Sequence, residues 1–149
     1  MTLTDKVQSV LGRKNPEIWS VSPNTSVFEA LQLMADKEIG ALLVISDGRL
    51  AGVISERDYA RKVILVGKSS KETLVEEIMR PADPVVGPDT TVDECMRLMT
   101  VSRARHLPVL DGAKIAGIVS IGDLVNWIIS VQEDTINHLH AYVAGEYPR

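Results

Sequence analysis

The chain contains a second copy of itself. Displacing its 149 residues by 65 positions, without a gap, lays Val21–Lys62 over Val86–Trp127. Identical pairs run through the whole window: Val21/Val86, Pro23/Pro88, Thr25/Thr90, Val27/Val92, Glu29/Glu94, Leu33/Leu98, Met34/Met99, Leu42/Leu107, Val44/Val109, Ala51/Ala116, Gly52/Gly117, Ser55/Ser120 and Asp58/Asp123. Many other pairs are conservative, such as Leu50/Ile115 and Val53/Ile118. A duplication at fixed spacing constrains the fold more than any local propensity does, because each copy must adopt the same supersecondary unit.

Each copy reads as β-α-β-β-α. A short strand near Trp19–Val21, or Val85–Val86, is expected to stop at Pro23 or Pro88, which cannot donate to a ladder. Ser26-x-x-Glu29 and Thr91-x-x-Glu94 carry a capping-box signature for the helix that follows. Its apolar stripe is Val27, Ala30, Leu31 and Met34, matched by Val92, Cys95, Met96 and Met99. Two apolar strands come next, Ala41–Ile45 and Leu50–Ile54 joined by Asp47-Gly48. The second copy has His106–Leu110 and Ile115–Val119, with Asp111-Gly112 as the expected turn. A second helix opens after Ser55 or Ser120.

One copy is too short to bury a good core alone. The expected α+β architecture is therefore two repeats packed sheet to sheet about a pseudo-twofold axis. That packing leaves two related clefts between the copies, and such interfaces favour ligand sites. The expected divisions are an N-terminal extension 1–17, a first repeat 18–66, a linker 67–82, a second repeat 83–131 and a helical tail 132–149. Within the linker, Gly67–Glu72 is polar and Thr73–Arg80 reads as a helix ended by Asp83-Pro84. Thr4–Leu11 reads as a short amphipathic helix. Leu124, Trp127, Ile128, Val131, Ile136 and Leu139 continue at helical spacing, which suits either a homodimer contact or a tail folded back on its own repeat.

Composition narrows the function classes. Aromatics make up only 4% of the chain against 45% hydrophobic residues, so the core is aliphatic. A net charge of -4 supplies no global field for nucleic acid or an anionic membrane. Any anionic ligand must be held by a local cluster of donors. The single cysteine, Cys95, allows no intramolecular disulfide, and it aligns with Ala30 on the buried stripe, where core packing accounts for it. Met1–Lys6 lacks the apolar run of a signal peptide, and Ala41–Ile45 and Val63–Val66 fall short of the roughly 20 residues a bilayer span needs. The cytoplasm is the expected compartment.

The phrases Gly52-Val53-Ile54-Ser55-Glu56-Arg57-Asp58 and Gly117-Ile118-Val119-Ser120-Ile121-Gly122-Asp123 resemble the closing motif of cystathionine-β-synthase (CBS) domains. Arg105-His106-Leu107-Pro108-Val109 resembles the family's preceding strand, and Pro23-x-Thr25-x-Val27 and Pro88-x-Thr90-x-Val92 its opening. The resemblance covers about residues 18–130. It implies a stand-alone CBS pair, or Bateman module, that commonly homodimerises, binds AMP, ADP, ATP, NAD or S-adenosyl compounds and regulates an unidentified partner protein; no metal is expected to be required.

The resemblance also carries residues over. Ser55 and Ser120 would donate to a phosphate, and Asp58 and Asp123 would accept from ribose hydroxyls. Arg57, Ile121 and Gly122 sit between them, and Arg105 or His106 would reach into a cleft toward phosphates. Arg suits that task through its fixed fork of donors. Read from the residues alone, Ser-x-x-Asp is equally an ordinary helix cap that needs no ligand. Arg105 and His106 align with Gly40 and Ala41, and Arg57 with Gly122, so two unequal sites are expected, the more phosphate-rich one using Arg105. Arg103 reads as a solvated charge, and Trp127 as core or interface in preference to an adenine platform. His138 and His140, two apart, point to different helix faces and make a poor metal pair. No P-loop, G-x-G-x-x-G or Ser/His/Asp set is present, so the chain is not expected to be an enzyme. A ligand-free dimeric scaffold is the competing expectation.

Overall fold

Two antiparallel hairpins carry the architecture in the computed structural model, which describes residues 4–13 and 17–143, the last three by backbone alone. The chain order is α1 (Val7–Gly12), β1 (Ser20–Val21), α2 (Val27–Lys37), β2 (Ala41–Ser46), β3 (Arg49–Ser55), α3 (Glu56–Tyr59), α4 (Val75–Ile78), α5 (Val92–Ser102), β4 (His106–Asp111), β5 (Lys114–Ser120) and α6 (Ile121–Val143). β2 and β3 pair from Ala41↔Ser55 to Ser46↔Arg49, and β4 and β5 from His106↔Ser120 to Asp111↔Lys114. The 65-residue displacement therefore holds in the register of the strands as well as in the sequence.

The two turns differ. Asp47 and Gly48 have φ of 52° and 74°, the paired left-handed conformation of a type I′ turn. In the second hairpin the turn is Gly112-Ala113, not the expected Asp111-Gly112, because Asp111 pairs with Lys114. Only Gly112, at φ 63°, needs the left-handed region there, so an alanine is tolerated after it. The opening strands are also unequal. β1 pairs with β2 in parallel, while the expected strand Val85–Val86 shrinks to one bridge between Val86 and Val109.

α2 and α5 begin as their signatures require. Ser26 accepts from the Glu29 N–H at 3.1 Å and Thr91 from the Glu94 N–H at 3.2 Å. The reciprocal arm expected of Glu94 is diverted: its carboxylate takes the Arg97 guanidinium, whose Nε lies 2.9 Å away. That pairing holds the exposed Glu94 carboxyl below its ordinary pKa. α2 and α5 end in left-handed residues, Glu38 and Arg103.

Three apolar clusters fill the interior. The first repeat closes around Val27, Met34, Leu42, Ile54 and Val63, and the second around Val92, Cys95, Met99, Leu107 and Leu124. Between them Ala41, Leu43 and Val53 of one hairpin meet Ile115 and Ile118 of the other, the sheet-to-sheet contact.

The short helices outside the repeats are exchanged. α4 completes the first repeat: Val75 N–H donates to Thr25 and Glu76 N–H to Pro23, while Val27 N–H donates to Thr73. α1 does the same for the second repeat, through Val7 to Thr90, Gln8 to Pro88 and Val92 to Asp5. Each repeat is thus finished by the segment that precedes the other one. α4 is shorter than the expected Thr73–Arg80 helix. Met79 is already extended, and Arg80 bridges β3 through both its N–H and its carbonyl to Val53. α6 runs unbroken across the expected 131/132 boundary, whereas its counterpart α3 passes into a wide π turn at Ala60–Ile64. Among the described residues no helix is long and apolar enough to cross a membrane.

Candidate functional site

The sheet-to-sheet packing opens two clefts, with volumes of about 360 and 370 Å³, within the roughly 300–1,000 Å³ range of small-molecule sites. Each joins the strand-to-helix start of one repeat to the helix-to-strand junction of the other. One is lined by Ser120 and Asp123 together with Lys37, Ile39, Gly40 and Ala41. The other is lined by Ser55, Arg57 and Asp58 together with Arg103, Arg105 and His106. Gly40 and His106 line both.

At Ser55 the cap is complete. Ser55 N–H and Oγ–H both donate to Asp58 Oδ2 at 2.9 Å, and the Asp58 N–H returns to Ser55 Oγ at 3.3 Å. Asp58 is only 5% exposed. Its second oxygen, Oδ1, lies 3.3 Å from Arg80 Nε and 3.8 Å from Lys62 Nζ. Lys62 also donates to the Ile78 carbonyl at 3.0 Å, tying the linker to the helix start. The cap at Ser120 repeats the geometry, with Ser120 N–H to Asp123 Oδ2 at 2.8 Å and Asp123 N–H to Ser120 Oγ at 3.0 Å. Asp123 is half-buried.

Charge separates the two clefts. Arg57, Arg61, Arg80, Arg103 and Arg105 converge on the second, with Glu56 and Asp58 as its acids. Like charges crowd Arg57: first Arg105, then Arg61, with desolvation and Arg80 adding, lower its guanidinium pKa, while Asp58 opposes them. The first cleft holds Lys37 against Glu17, Glu38 and Asp123, with Leu11, Ile18, Trp19 and Ile118 giving it an apolar wall. Lys37 Nζ lies 4.2 Å from the Trp19 ring centroid.

Of the residues singled out from sequence, Ser55, Arg57, Asp58, Arg105 and His106 come together in the basic cleft, and Ser120 and Asp123 in the other. Ile121 and Gly122 are exposed on the first turn of α6 and line neither cleft. The Ile121 N–H donates to the Arg105 carbonyl at 2.9 Å and so fixes the backbone that carries Arg105. Arg103, read as a solvated charge, is exposed but belongs to the cleft rim. Arg61 and Arg80 were not foreseen. Arg61 follows Arg57 by four residues on a helical face, a signal present in the sequence. Arg80 carries no local signal, since its place depends on the linker docking against β3. Trp127 lines neither cleft; it packs against the second repeat's core, donating from Nε1 to Asp5 Oδ2 at 2.9 Å beneath the Arg13 guanidinium. Among the described residues no group of His, Cys, Asp and Glu is placed to hold a metal ion.

The family model of the CBS domain matches the chain twice, at residues 9–65 and 75–130. The mitochondrial CBS domain-containing protein CBSX3 of Arabidopsis thaliana is 40% identical over 135 residues, which cover 87% of this chain and 65% of that protein. The chain thus spans just under two thirds of that relative. The CBS domain-containing protein YhcV of Bacillus subtilis is 31% identical over 118 residues, 79% of this chain and 84% of YhcV. A candidate signal-transduction protein with CBS domains from Burkholderia ambifaria is 50% identical in sequence and superposes with a TM-score of 0.81, covering 85% of this chain and 95% of its own. The CBS-domain containing protein ATU1752 of Agrobacterium tumefaciens, 34% identical, gives 0.77 over 82% of this chain and 98% of its own.

Proposed function

The chain belongs to the CBS-domain family as a tandem pair, a family of regulatory and signal-transduction modules, and on that premise we propose that it senses an adenine nucleotide through its basic cleft and passes the bound state to a partner protein. The observation that carries this reading is the convergence of five arginines from both repeats and the linker on one concavity of about 370 Å³. Guanidinium groups recognise phosphate oxygens through paired donors, and a site assembled from three segments couples occupancy to their relative position. The module is read as non-catalytic and metal-independent, since the cleft offers cations and capping pairs, not an activated nucleophile. Exposed Ile129, Ile136 and Leu139 on α6 fit a homodimer contact.

Thermal melting of the full chain with AMP, ADP, ATP and NAD tests the reading. A nucleotide at a hundredfold excess over its dissociation constant stabilises the fold by about 2.7 kcal/mol, and Arg105→Ala removes most of that gain. Unchanged melting with all four at millimolar concentration refutes the sensor. It would favour a ligand-free dimeric scaffold, for which the filled acceptor positions of Asp58 already speak.

A further inference from the structure

The first repeat carries two surface features at opposite ends of one segment. α3 and the π turn after it run from Glu56 to Ile64, roughly 13 Å of helix. At the far end Ile64, Leu65 and Val66 are 55%, 76% and 58% exposed, and Leu65 is the barest large apolar side chain among the described residues. Backbone bonds hold this knob in shape: Leu65 N–H donates to Ala60, Gly67 N–H to Ile64 and Lys68 N–H to Val63. Three bare aliphatic side chains in a row mark a surface that a partner covers.

At the near end lies a third concavity of about 290 Å³, beside the two clefts. Leu31, Met34 and Ile39 give it an apolar lining, and the exposed Glu38 and Glu56 are its only charged groups. The knob carries the opposite sign next to it, in the exposed Lys68. Between the two ends Ala60 is exposed, small enough for a second helix to approach closely. Two copies of this segment laid antiparallel about a twofold axis seat each knob in the other's groove. Lys68 then meets Glu38 and Glu56 twice over, as a self-complementary twofold interface requires.

The second repeat reverses these charges. Displaced by 65 residues, Glu38, Glu56 and Lys68 correspond to Arg103, Ile121 and Glu133. Pairing the first repeat with a partner's second would set Lys68 against Arg103, and Glu133 against both glutamates. Pairing like with like avoids both clashes. We infer that two copies of the chain join first repeat to first repeat through this knob and groove, and that charge excludes the head-to-tail arrangement. This deepens the homodimer reading, on which it rests, and is independent of what the clefts bind. The exposed face of α6 then meets its own copy in the same orientation.

Sedimentation equilibrium on the full chain tests the surface. Leu65→Asp weakens dimerisation at least about tenfold and leaves the melting temperature of the monomer unchanged, because the side chain is exposed. Lys68→Glu and Glu38→Arg each weaken it about tenfold, since the twofold axis repeats every lost pair. Glu38→Arg suits the fold, as Arg103 already adopts the same left-handed conformation, with φ 57° against 55°. The double variant Glu38→Arg/Lys68→Glu dimerises at least about threefold more tightly than either single one. For orientation, Leu65→Cys is mixed with Ala35→Cys or with Thr100→Cys, exposed residues at equivalent places on α2 and α5. Under oxidation by copper phenanthroline it links to the chain carrying Ala35→Cys and not to the one carrying Thr100→Cys. A link to Thr100→Cys instead, or a dimer that all three single variants leave unchanged, overturns the inference and leaves the homodimer standing. A wild-type chain that sediments as a monomer overturns both.

Discussion

The bridge between the linker and β3 makes Gly52 the position where one methyl group has the largest consequence. An alanine Cβ there would lie 2.5 Å from the Arg80 carbonyl oxygen and 3.1 Å from Met79 Sδ. A carbonyl held in a two-way bridge cannot yield as the end of a side chain can. Either the strand moves or the Val53–Arg80 pair opens, with hydrogen bonds of 3.0 and 2.9 Å at stake. Overpacking costs about 1–3 kcal/mol and each lost buried hydrogen bond about 1, so Gly52→Ala is expected to destabilise the chain by roughly 2–4 kcal/mol. For a chain of this length that is a fall in melting temperature of roughly 5–15 °C. Urea denaturation with an unchanged slope measures it directly. Gly40→Ala is the internal control, since its Cβ meets only the Glu56 Oε1 end of an exposed side chain at 3.2 Å. It should fall within about 0.5 kcal/mol of wild type. If Gly52→Ala behaves like Gly40→Ala, the tight linker bridge is wrong, and with it the placement of Arg80.

Two more outcomes follow from the buried elements. Desolvation first, and the Glu94 carboxylate second, push the Cys95 thiol up to about 11, so at pH 8 only about 0.1% is thiolate. A disulfide reagent such as DTNB should leave the folded chain unmodified and react in urea; reaction of the native protein at the rate of a free thiol contradicts this placement in the core. Trp127→Phe keeps the ring but loses the 2.9 Å bond to Asp5, costing about 1 kcal/mol and raising hydrogen exchange at Val7 and Val10 as α1 loosens. Unchanged exchange in α1 refutes the role of this bond in holding the helix.

The scaffold was legible in the sequence because duplication tests each local reading twice. The apolar stripe of α2 reappears as that of α5, the caps at Ser26 and Thr91 form alike, and both Ser-x-x-Asp caps close. What stayed hidden depended on tertiary placement. No periodicity reveals that α1 completes the second repeat and α4 the first, because both exchanges use backbone groups of residues far apart in sequence. The second turn was misplaced by one residue because Asp-Gly is a strong turn dipeptide, and the matching register put Asp111 in the ladder instead. Arg105 could be flagged because it aligns with Gly40, but the cleft it lines is decided by which helix start faces its junction, a property of the packed pair.

The pattern of difference between the copies has its own physical logic. Positions that set the packing of the scaffold are alike: Gly52 and Gly117 lie where Met79 and Leu11 press on a strand, and Ser55 and Ser120 close the same cap. The charges about the basic cleft diverge: Arg57 and Arg105 stand where the other repeat has Gly122 and Gly40, while the serine and aspartate that line each cleft are the same. Gathering five guanidinium groups opposes folding through their mutual repulsion, and the nearby acids offset only part of it. Asp58 sets one carboxylate oxygen 3.3 Å from Arg80 Nε in that crowd, while its other oxygen is fixed by Ser55. The four-residue cap that starts a helix in both repeats thus also sets, in the first, a buried carboxylate against the cationic cleft.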